Sequence, residues 1–543
     1  MEKEGIFSRQ AVFIIIILLI LQTGLILFYG SRKAGFHEDE IYMFEFANNP
    51  TTYIRNAKDY YETWKSGDFY RNAVVPGAEN KYNYEHIFRN NEIEMAQIYL
   101  SILHTVSIVF SKIDLKWIGL IPNLFFGLVS TILLYCLTTV LFNKKLAYIV
   151  AFAWTINIGM LTSIMLIRPY AFMTMLVLLF IYLHVLEFYR LCFQNTKNIK
   201  ILLLLSLCTF LGISTHYYFF IFCFFICGAF SLSILVLKQY KYLTQYILAE
   251  FGALGCFIFM FPQSQILSSS LSKKSIQNVS VEYDWKVIKS ILSVISKNVW
   301  GGLVFEFTII IATISIICLL KNHICFSAIY KPEKGVQVQI KYKNVEWNIT
   351  YNYIIILIVT MTVVGYILII ARISIWKEDR YYYCLYPLIL LIICAALYLL
   401  IQRIIKDKTQ VIALLFCAVC AVSLVNYGTN DVNYLYQDFL KRQEILKEYN
   451  NYPIIIMSKY PTKPERFIPE YVKHQYVYRC KNGHYDGIKL AAETVDLTKG
   501  FLLYVFDYED TDEELFAEIS KDYFVCDFDL LDKKGGNRTF FAI

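Results

Sequence analysis

The sequence predicts an all-α polytopic membrane protein with about eleven transmembrane helices, a structured first outer loop and a small C-terminal α/β domain. Its 543 residues are 57% hydrophobic and only 17% charged, whereas a soluble domain carries about 25% charged residues. The apolar residues stand in long uncharged runs, which is the pattern of membrane-spanning helices. After Tyr427 these runs end, and the composition changes to that of a soluble domain.

The first apolar run covers residues 11–29, carries no charge and follows Lys3 and Arg9. It is too long for the apolar core of a signal peptide, and no small-residue cleavage site follows, so it predicts an uncleaved span. Residues 31–95 are polar, and so long a loop favours a function for the loop itself. Residues 96–110 are apolar but too short to cross, which predicts a helix at the membrane surface and a first outer loop over 31–115.

Ten further apolar runs predict the remaining spans. They lie near residues 117–142, 146–166, 169–189, 200–217, 219–237, 243–264, 299–320, 351–371, 382–402 and 409–427. Lysine and arginine concentrate in the loops of one side, at residues 144–145, 190–200, 238–241, 321–343 and 403–408. Cytoplasmic loops carry this excess, so we predict a multi-pass cell-membrane protein with a cytoplasmic N-terminus and an extracytoplasmic C-terminus.

One outer loop breaks the charge pattern. Residues 265–298 carry five lysines, namely Lys273, Lys274, Lys286, Lys289 and Lys297, against Glu282 and Asp284. Such a basic loop on the translocated side indicates an anionic ligand or lipid headgroup. The alternative is a solvated loop, since long loops are translocated despite their charge.

Residues 428–543 are predicted to form a separate extracytoplasmic domain behind the transmembrane domain 1–427. Its predicted strands lie at residues 452–457, 476–478, 501–506 and 524–528, with helices at 486–495 and 512–519 between them. This alternation is typical of a small α/β unit, and no glycine-rich phosphate loop gives it chemistry of its own. Cys480 and Cys526 are candidates for a disulfide in this region.

An acidic run follows the first span: His37-Glu38-Asp39-Glu40. A carboxylate at the membrane surface is partly desolvated, which raises its pKa and makes it a stronger base. Transfer of a sugar to a hydroxyl or amine needs such a base, and a single carboxylate suffices when the leaving group is a phosphate. The alternative is an acidic helix N-terminus, with residues 38–40 opening a helix over 41–47.

Three further motifs are predicted to reach the same outer face. Arg168-Pro169-Tyr170 starts one span, and His216 ends another. Arg372, Arg380 and Tyr381 stand in the last outer loop. Arginine binds phosphate oxygens bidentately, and aromatic faces suit sugar or isoprenoid groups. The alternatives are ordinary ones: snorkelling arginines, a hydrogen-bonded interfacial histidine and an aromatic belt.

Taken in order, these motifs resemble the GT-C superfamily of membrane glycosyltransferases. Bacterial members similar to protein O-mannosyltransferases and to the aminoarabinose transferase of lipid A have the most similar pattern. The resemblance covers residues 1 to about 430. It is carried by His37 to Glu40, the segment 98–104 that ends in His104, Arg168-Pro169-Tyr170, Thr215 to Tyr218, and Arg380-Tyr381 through Pro387. The chain departs from many relatives at Met95-Ala96-Gln97, where they have His-Pro-Pro.

The resemblance implies transfer of a hexosyl or pentosyl group, with inversion, from a polyprenyl-phosphate donor. It implies Asp39 as the base, with Glu40 assisting or orienting it. Arg168, Arg372 and Arg380 are then expected to bind the lipid phosphate. His104 and His216 are expected to line the cavity, and the predicted substrate-binding set is completed by His37, Tyr170 and Tyr381.

No obligatory metal is predicted. Relatives that transfer oligosaccharides use a divalent cation, whereas the mannosyl- and aminoarabinosyl-transferring relatives are not expected to need one. His37, Asp39 and Glu40 offer nitrogen and oxygen ligands for such an ion. The sequence contains no second cluster of ligands, so a divalent cation stays an option and not a requirement.

The expected partners are a polyprenyl-phosphate-linked sugar, membrane lipid and an extracytoplasmic acceptor in the cell envelope (a cell-wall polymer, glycolipid or protein). Nucleic acid is not expected, because cytoplasmic loops account for the net charge of +7. The abundant Ile, Lys, Asn and Tyr suggest a bacterium of low GC content. Three alternatives stay open: a transporter or flippase, a polymerase or ligase for lipid-linked sugars, and a non-catalytic assembly protein.

Overall fold

A computed structural model provides the structure of the chain. It describes residues 6–57, 59–89, 96–194, 198–261, 284–303, 325–331, 335–342, 345–349, 351–374, 376–405, 407–458, 460, 462–481, 486–506, 511–522, 527–534 and 537–543. Long apolar helices form a bundle, and a mixed sheet stands at one end of it. The prediction of an all-α membrane protein with a small C-terminal α/β unit is therefore confirmed.

Eight helices of the described part are long and apolar enough to cross a membrane. They are Arg9–Ser31, Leu115–Leu141, Tyr170–Cys192, Phe219–Val236, Tyr240–Met260, Ile354–Ile373, Asp379–Gln402 and Lys408–Thr429. A ninth span is formed if Lys144–Thr155 and Ile158–Met165, which meet at 52°, cross together. Ile199–Thr215 is apolar but shorter, and most of the span predicted at 299–320 lies outside the described residues. The count of eleven stays a prediction.

The predicted span limits lie close to the observed helix limits because hydropathy is a local property of the sequence. One difference concerns residues 146–166, where a single span was predicted and the structure has two helices. Asn157 breaks the run: its side chain caps the second helix at the Met160 N–H, 3.2 Å away, and its Nδ2 donates to the Val299 carbonyl at 2.9 Å. A polar side chain that caps one helix and binds another fixes the bend.

The polar first loop is structured, as expected. It contains the helices Glu38–Asn48, Gly67–Val74 and Glu85–Arg89, the short strand Trp64–Lys65 and the apolar helix Gln97–Val109. Gln97–Val109 packs against Glu38–Asn48 and against the span Leu115–Leu141. The first loop is therefore held against the end of the helix bundle.

The expectation of a loop over 265–298 is wrong for residues 285–298, because Trp285–Trp300 is a helix. Its buried side chains recur at helical spacing, at Ile288, Ile291, Ile295 and Val299. Lysines on the opposite face lower the average hydropathy and conceal this pattern. Lys273 and Lys274 lie outside the described residues, whereas Lys286, Lys289 and Lys297 lie in this helix.

A six-stranded sheet forms the C-terminal unit. Its strand order is Trp64–Lys65, Val477–Arg479, Ile454–Ser458, Phe501–Phe506, Asn537–Ala542 and Phe528–Lys534. The three strands Val477–Arg479, Ile454–Ser458 and Phe501–Phe506 are parallel, and the remaining pairs are antiparallel. The sheet thus begins with a strand from the first loop, more than 380 residues earlier in the chain than its neighbours.

Helices cover the sheet, among them Phe439–Leu446, Lys463–Phe467, Ile468–Tyr471, Asp486–Ala492 and Asp512–Asp522. The strand predicted at 524–528 begins only at Phe528 and continues to Lys534. Cys480 is a buried free thiol, and Cys526 lies outside the described residues. A second, three-stranded antiparallel sheet is formed by Cys325–Lys331, Gly335–Tyr342 and Val345–Ile349.

The segment that joins the bundle to the C-terminal unit runs directly beside the acidic motif. The Ala34 N–H donates to the Leu435 carbonyl at 2.7 Å, and Gln443 Nε2 donates to the Ala34 carbonyl at 2.6 Å. A Cβ on Gly35 would lie 3.0 Å from Tyr436 Cβ and 3.2 Å from the Phe439 ring. A larger residue would require these side chains to shift, so glycine favours the close approach of the two segments.

Candidate active site

The acidic motif forms the start of a helix, as one of its two interpretations predicted. His37 is the N-cap of Glu38–Asn48, and its Nδ1 accepts the Asp39 N–H at 3.1 Å. In return Glu40 Oε2 accepts the His37 N–H at 2.7 Å, which completes a capping box. Three carboxylates in the first helical turn are stabilised by the N–H groups and by the helix dipole. This helix start fixes the position of every polar group in the motif.

Glu40 is completely enclosed. Its carboxylate accepts hydrogen bonds from Lys33 Nζ at 3.0 and 3.1 Å, from the His37 N–H and, at 2.7 Å, from the Ile167 N–H. The side chains of both Lys33 and Glu40 are 0% exposed. Such a carboxylate has its lone pairs occupied and no path to a substrate. Of the two roles predicted for Glu40, the geometry supports orienting the motif.

Lys33 connects three parts of the chain. It stands just after the first span, pairs with Glu40 and donates to the Tyr434 carbonyl at 2.7 Å. Burial lowers the pKa of the Lys33 ammonium, while the adjacent Glu40 carboxylate raises it. A buried charge of this kind is tolerated only when it is paired and fully hydrogen-bonded. Lys33 therefore couples the first span, the acidic motif and the segment that leads to the C-terminal unit.

Asp39 points to the opposite side and meets two arginines. Its Oδ2 lies 2.6 Å from Arg380 Nη1 and 3.6 Å from Arg168 Nη1. The exposed fractions of the side chains are 21% for Asp39, 21% for Arg168 and 11% for Arg380. Burial raises the pKa of Asp39, but the charges of Arg168 and Arg380 outweigh it and lower the pKa below its ordinary value, so the expectation of a raised pKa is wrong for Asp39. Asp39 is therefore ionised at neutral pH.

Both arginines have unused hydrogen-bonding capacity. The Nε atoms of Arg168 and Arg380 are buried, and neither has a partner within the described part of the chain. Arg168 Nη1 also donates to the Asp39 carbonyl at 3.4 Å, which holds the guanidinium against the motif. Two guanidinium groups with free donors, facing a partly exposed carboxylate, are suited to an oxyanion such as a phosphate.

The loop that carries Arg168 is held by the bundle. Asn123 Nδ2, from the span Leu115–Leu141, donates to the carbonyls of Ile164 and Leu166 at 3.0 and 2.8 Å. The Ile167 N–H is bound by Glu40, and Pro169 then starts the next helix. Arg168 is thereby placed between two fixed points.

His37 is the third group beside Asp39, with Nδ1 3.6 Å from Asp39 Oδ2. Burial and the charges of Arg380, Arg168 and Arg466 lower the pKa of His37 to about 4, although Asp39 opposes this shift. The ring is therefore neutral at pH 7. Because Nδ1 accepts the Asp39 N–H, the proton of the neutral ring is on Nε2. The His37 side chain is 33% exposed, so it can meet a ligand.

Aromatic rings form one wall of the site. The Tyr170 ring centre lies 5.7 Å from His216 and 6.3 Å from Tyr381. Tyr381 also lies beside the Arg380 guanidinium, and Tyr218 contacts it edge-on at 5.3 Å. His216 Nδ1 accepts the Tyr218 N–H at 3.2 Å, which fixes the ring. The structure thus brings His37, Asp39, Arg168, Tyr170, His216, Arg380 and Tyr381 together.

Of the predicted substrate-binding residues, His104 lies elsewhere in the structure. His104 is fully buried, and its Nδ1 lies 2.9 Å from Asn48 Oδ1. Asn48 is at the other end of the helix from Asp39, about 14 Å away at 1.5 Å per residue. Arg372 lies in the last turn of Tyr351–Ile373, which packs against the turn Asp379–Leu385 that carries Arg380. Substrate contact by His104 and Arg372 stays a prediction.

Sequence reasoning missed the contribution of the C-terminal half. Tyr434 supplies the carbonyl for Lys33, and its ring lies 6.4 Å from His37. Tyr434 and Tyr436 have φ values of 65° and 51°, a left-handed conformation that is uncommon outside glycine. Local strain of this kind clusters at functional sites and offers a signal once the backbone is known. No hydropathy pattern could have revealed it.

The described residues contain no group of three or more His, Cys, Asp or Glu side chains placed to hold a metal ion. Asp39 already faces two guanidinium groups, and Glu40 is enclosed by Lys33 and two N–H groups. The electrostatic field around Asp39 is positive and repels a cation. Within the described residues Asp39 and Glu40 are already paired with cations, and a divalent cation stays an option.

The structure is that of a polytopic membrane protein with Asp39, Arg168 and Arg380 clustered at one end of its bundle. No protein-family model matches the sequence, and no curated protein matches it. Among solved structures, ArnT from Cupriavidus metallidurans bound to undecaprenyl phosphate has a TM-score of 0.53 at 8% identity, covering 98% of this chain and 97% of that one. The same protein in the apo state gives 0.50 at 8% identity, covering 98% of both.

This similarity establishes that the chain shares the fold of ArnT. A structure of AglB from Archaeoglobus fulgidus, in complex with an inhibitory peptide and a dolichol-phosphate, is also similar. Its TM-score is 0.42 at 11% identity, covering 92% of this chain and 69% of that one.

Proposed function

We propose that the chain is a membrane glycosyltransferase that moves a sugar from a polyprenyl-phosphate donor to an extracytoplasmic acceptor. The observation that carries this proposal is the partly exposed Asp39 carboxylate between Arg168 and Arg380. Among the described residues, the Nε groups of the two arginines have no hydrogen-bond partner, so they can donate to an oxyanion. The fold adds support, because ArnT shares it and its structure contains undecaprenyl phosphate.

The two arginines would serve both Asp39 and the donor phosphate. When a phosphodiester binds to Arg168 and Arg380, its negative charge offsets theirs. The pKa of Asp39 then rises from its depressed value, and the carboxylate becomes a stronger base. Donor binding would thereby activate Asp39.

In the transfer step the acceptor oxygen or nitrogen attacks the anomeric carbon from the side opposite the phosphate. A bond forms between the acceptor atom and the anomeric carbon, and the bond from that carbon to the phosphate oxygen breaks. The lipid phosphate leaves with the electron pair, and Asp39 takes the acceptor proton. A single displacement inverts the anomeric configuration. Arg168 and Arg380 stabilise the phosphate charge as it develops.

The proposed site of transfer is the outer surface of the cell membrane, as the predicted topology implies. With the N-terminus in the cytoplasm, the acidic motif and the C-terminal unit lie on the extracytoplasmic side of a cell membrane. Acceptors on that side include a cell-wall polymer, a glycolipid or a protein. The aromatic wall of Tyr170, His216 and Tyr381 offers flat apolar faces for a sugar ring or an isoprenoid unit.

The test is transfer by the purified protein in detergent with a panel of radiolabelled undecaprenyl-phosphate sugars. We expect wild type to consume one donor. Asp39→Asn keeps the size of the side chain but cannot take a proton, so we expect at least a thousandfold loss of kcat. The same transfer assay, repeated with a chelator, tests whether the reaction requires a divalent metal.

Folding is checked by thermal unfolding of both proteins, so that inactivity is not confused with collapse. Glu79→Gln serves as a control because it removes an exposed carboxylate of the first loop that makes no contact with the site residues. Full transfer by Asp39→Asn would overturn the assignment of the base. Failure of every donor with intact wild type would overturn the glycosyltransferase proposal.

A second candidate is a transporter or flippase for lipid-linked sugars, which one observation favours. Polar side chains lie inside the described spans: Glu187 accepts from Tyr242 at 2.7 Å, and Glu250 accepts from Thr209 at 2.6 Å. Buried ionisable groups in spans commonly mark transport paths. If labelled lipid-linked sugar crosses a reconstituted bilayer and no transfer occurs, this alternative is correct.

A further inference from the structure

A second cavity lies between the first loop and the C-terminal unit, away from the Asp39 site. It measures about 340 Å³. Its walls come from both ends of the first loop, from the helix Gly67–Val74, and from residues 440–443 and 469–473 of the C-terminal unit. Asp39, Arg168 and Arg380 are not among its lining residues. A cavity of this volume accommodates a phosphate-bearing headgroup.

The lining of the cavity is basic. One lining cation, Lys33, is paired with Glu40. The other lining cations are Arg71, Lys112, Lys116 and Lys473. Two carboxylates face them, but Glu470 is already bound by Arg442 at 3.0 to 3.2 Å. Asp114 is the remaining counter-charge. The excess positive charge favours an anion.

Two of these cations are held in place by the backbone. Lys116 Nζ donates to the carbonyls of Ser31 and Lys33 at 3.2 and 2.9 Å. Arg71 Nη2 donates to the Ser111 carbonyl at 3.0 Å. The span Leu115–Leu141 also begins at this cavity, with the positive end of its dipole there. The anion-binding character therefore comes from fixed groups as well as from flexible lysines.

The surroundings identify the type of anion. The cavity lies between the end of one span at Ser31 and the start of another at Leu115, so it opens at the membrane surface. Beside it stand three exposed apolar side chains, Val109 at 66%, Phe110 at 39% and Ile113 at 40%. An apolar rim next to a basic pocket at this depth is the combination that binds acyl chains and a phosphate headgroup together.

We propose that this cavity binds the headgroup of an anionic phospholipid from the adjacent leaflet. The lipid would bridge the first loop and the C-terminal unit at the membrane surface. A soluble phosphate would use the same cations but would leave the apolar rim exposed. This proposal does not depend on the glycosyltransferase function, because Asp39, Arg168 and Arg380 do not line the cavity and its test changes only Lys112 and Lys473.

The experiment uses the full-length protein, delipidated in detergent and titrated with dioleoylphosphatidylglycerol, with bound lipid counted by native mass spectrometry. The variant Lys112→Gln/Lys473→Gln removes two exposed cations of the cavity. We expect a loss of affinity of about fivefold per lysine, or about 25-fold for the pair. The control Lys489→Gln/Lys499→Gln removes two exposed lysines of the C-terminal unit outside the cavity and should bind as wild type does.

Two further arms separate the outcomes. Lys112→Arg/Lys473→Arg keeps the charge and should retain binding, which excludes misfolding as the cause of the loss. Dioleoylphosphatidylcholine has the same chains without a net charge and should bind weakly to every variant. Equal phosphatidylglycerol binding by wild type and by Lys112→Gln/Lys473→Gln would overturn the proposal. Displacement of the lipid by glycerol phosphate at equal concentration would also overturn it and assign the cavity to a soluble phosphate.

Discussion

The adjacent carboxylates of the acidic motif have different surroundings. Glu40 forms a fully buried ion pair with Lys33, whereas Asp39 is partly exposed. In Glu40→Gln the Lys33 ammonium would lose its counter-charge while remaining fully buried. Removing one partner of a buried ion pair costs about 3–5 kcal/mol. We therefore expect a large drop in the melting temperature of Glu40→Gln, measured by thermal unfolding in detergent. Its loss of transfer activity would follow from misplacement of Asp39.

Two comparisons distinguish this role from a chemical one. Glu38→Gln removes the neighbouring carboxylate of the same helix turn and should melt near wild type. Lys33→Met/Glu40→Gln removes the unpaired charge and should recover part of the lost stability. A Glu40→Gln protein that is inactive yet as stable as wild type would mean that Glu40 takes part in the reaction itself.

The pH dependence of the free protein follows from the same residues. The pKa of Asp39 lies below its ordinary value, and that of His37 is lowered to about 4. A base acts when it is ionised, so activity falls only as the pH falls through the pKa of Asp39. We expect kcat/KM, which reports the free enzyme, to show no acid limb between pH 5 and 7. A limb near pH 6 that disappears in His37→Asn would show that His37 titrates there instead.

At the scale of elements, the helix Glu38–Asn48 carries a second buried carboxylate on its other face. Glu45 is fully buried, and its Oε2 has no hydrogen-bond partner among the described residues. Burial and the nearby Glu465 carboxylate raise the pKa of Glu45 well above its ordinary value. Its contribution to stability is therefore fully present below the unfolded pKa of about 4.3 and is lost as the pH rises through the folded pKa.

We expect Glu45→Gln to remove this pH dependence. The variant should melt near wild type at pH 4 and, because no buried charge forms, above wild type at pH 8. Thermal unfolding at both pH values measures the difference, by about 1–3 kcal/mol for one unsatisfied buried group. Glu85→Gln, on an exposed helix of the same loop, is the control. A uniform destabilisation of Glu45→Gln at both pH values would contradict the expected protonation.

Elements with local signals could be predicted from the sequence, and elements created by tertiary contacts could not. Most described spans lie within a few residues of their predicted limits, because about 20 consecutive apolar residues suffice to specify a span. The helix Trp285–Trp300 was missed because its lysines conceal an apolar stripe. Trp64–Lys65 was missed because two residues carry no strand pattern of their own.

The candidate site follows the same rule. Asp39, Arg168 and Arg380 were predicted as charged residues at span ends and do meet in the structure. The separate roles of Asp39 and Glu40 could not be predicted, because adjacent residues of a helix turn face different surroundings that only the fold defines. The same holds for Lys33 and Tyr434, which are 401 residues apart in the sequence and are joined by a hydrogen bond in the structure.

At the scale of the whole molecule, the C-terminal sheet depends on the first loop. Trp64–Lys65 pairs with Val477–Arg479 at the edge of the sheet. Trp64 Nε1 donates to Thr494 Oγ1 at 2.9 Å, and its ring packs against Tyr478 at 5.2 Å. An ion pair between the partly exposed Arg55 and the buried Glu465, at 3.2 Å, joins the same two regions. A boundary at residue 428 separates the chain by composition, but these contacts join its two parts.

We therefore expect the bundle and the C-terminal unit to lose stability together in Trp64→Ala. Half-burial of the ring suggests a cost of about 2 kcal/mol, below the value of about 3–5 kcal/mol for a fully buried tryptophan. Hydrogen exchange of the strands Ile454–Ser458 and Phe501–Phe506 and of the helix Glu38–Asn48 should accelerate in parallel, and transfer activity should fall. Trp285→Ala, which removes a ring that is 71% exposed, is the control. Faster exchange confined to the two strands, with full activity, would show instead that residues 428–543 form an independent domain.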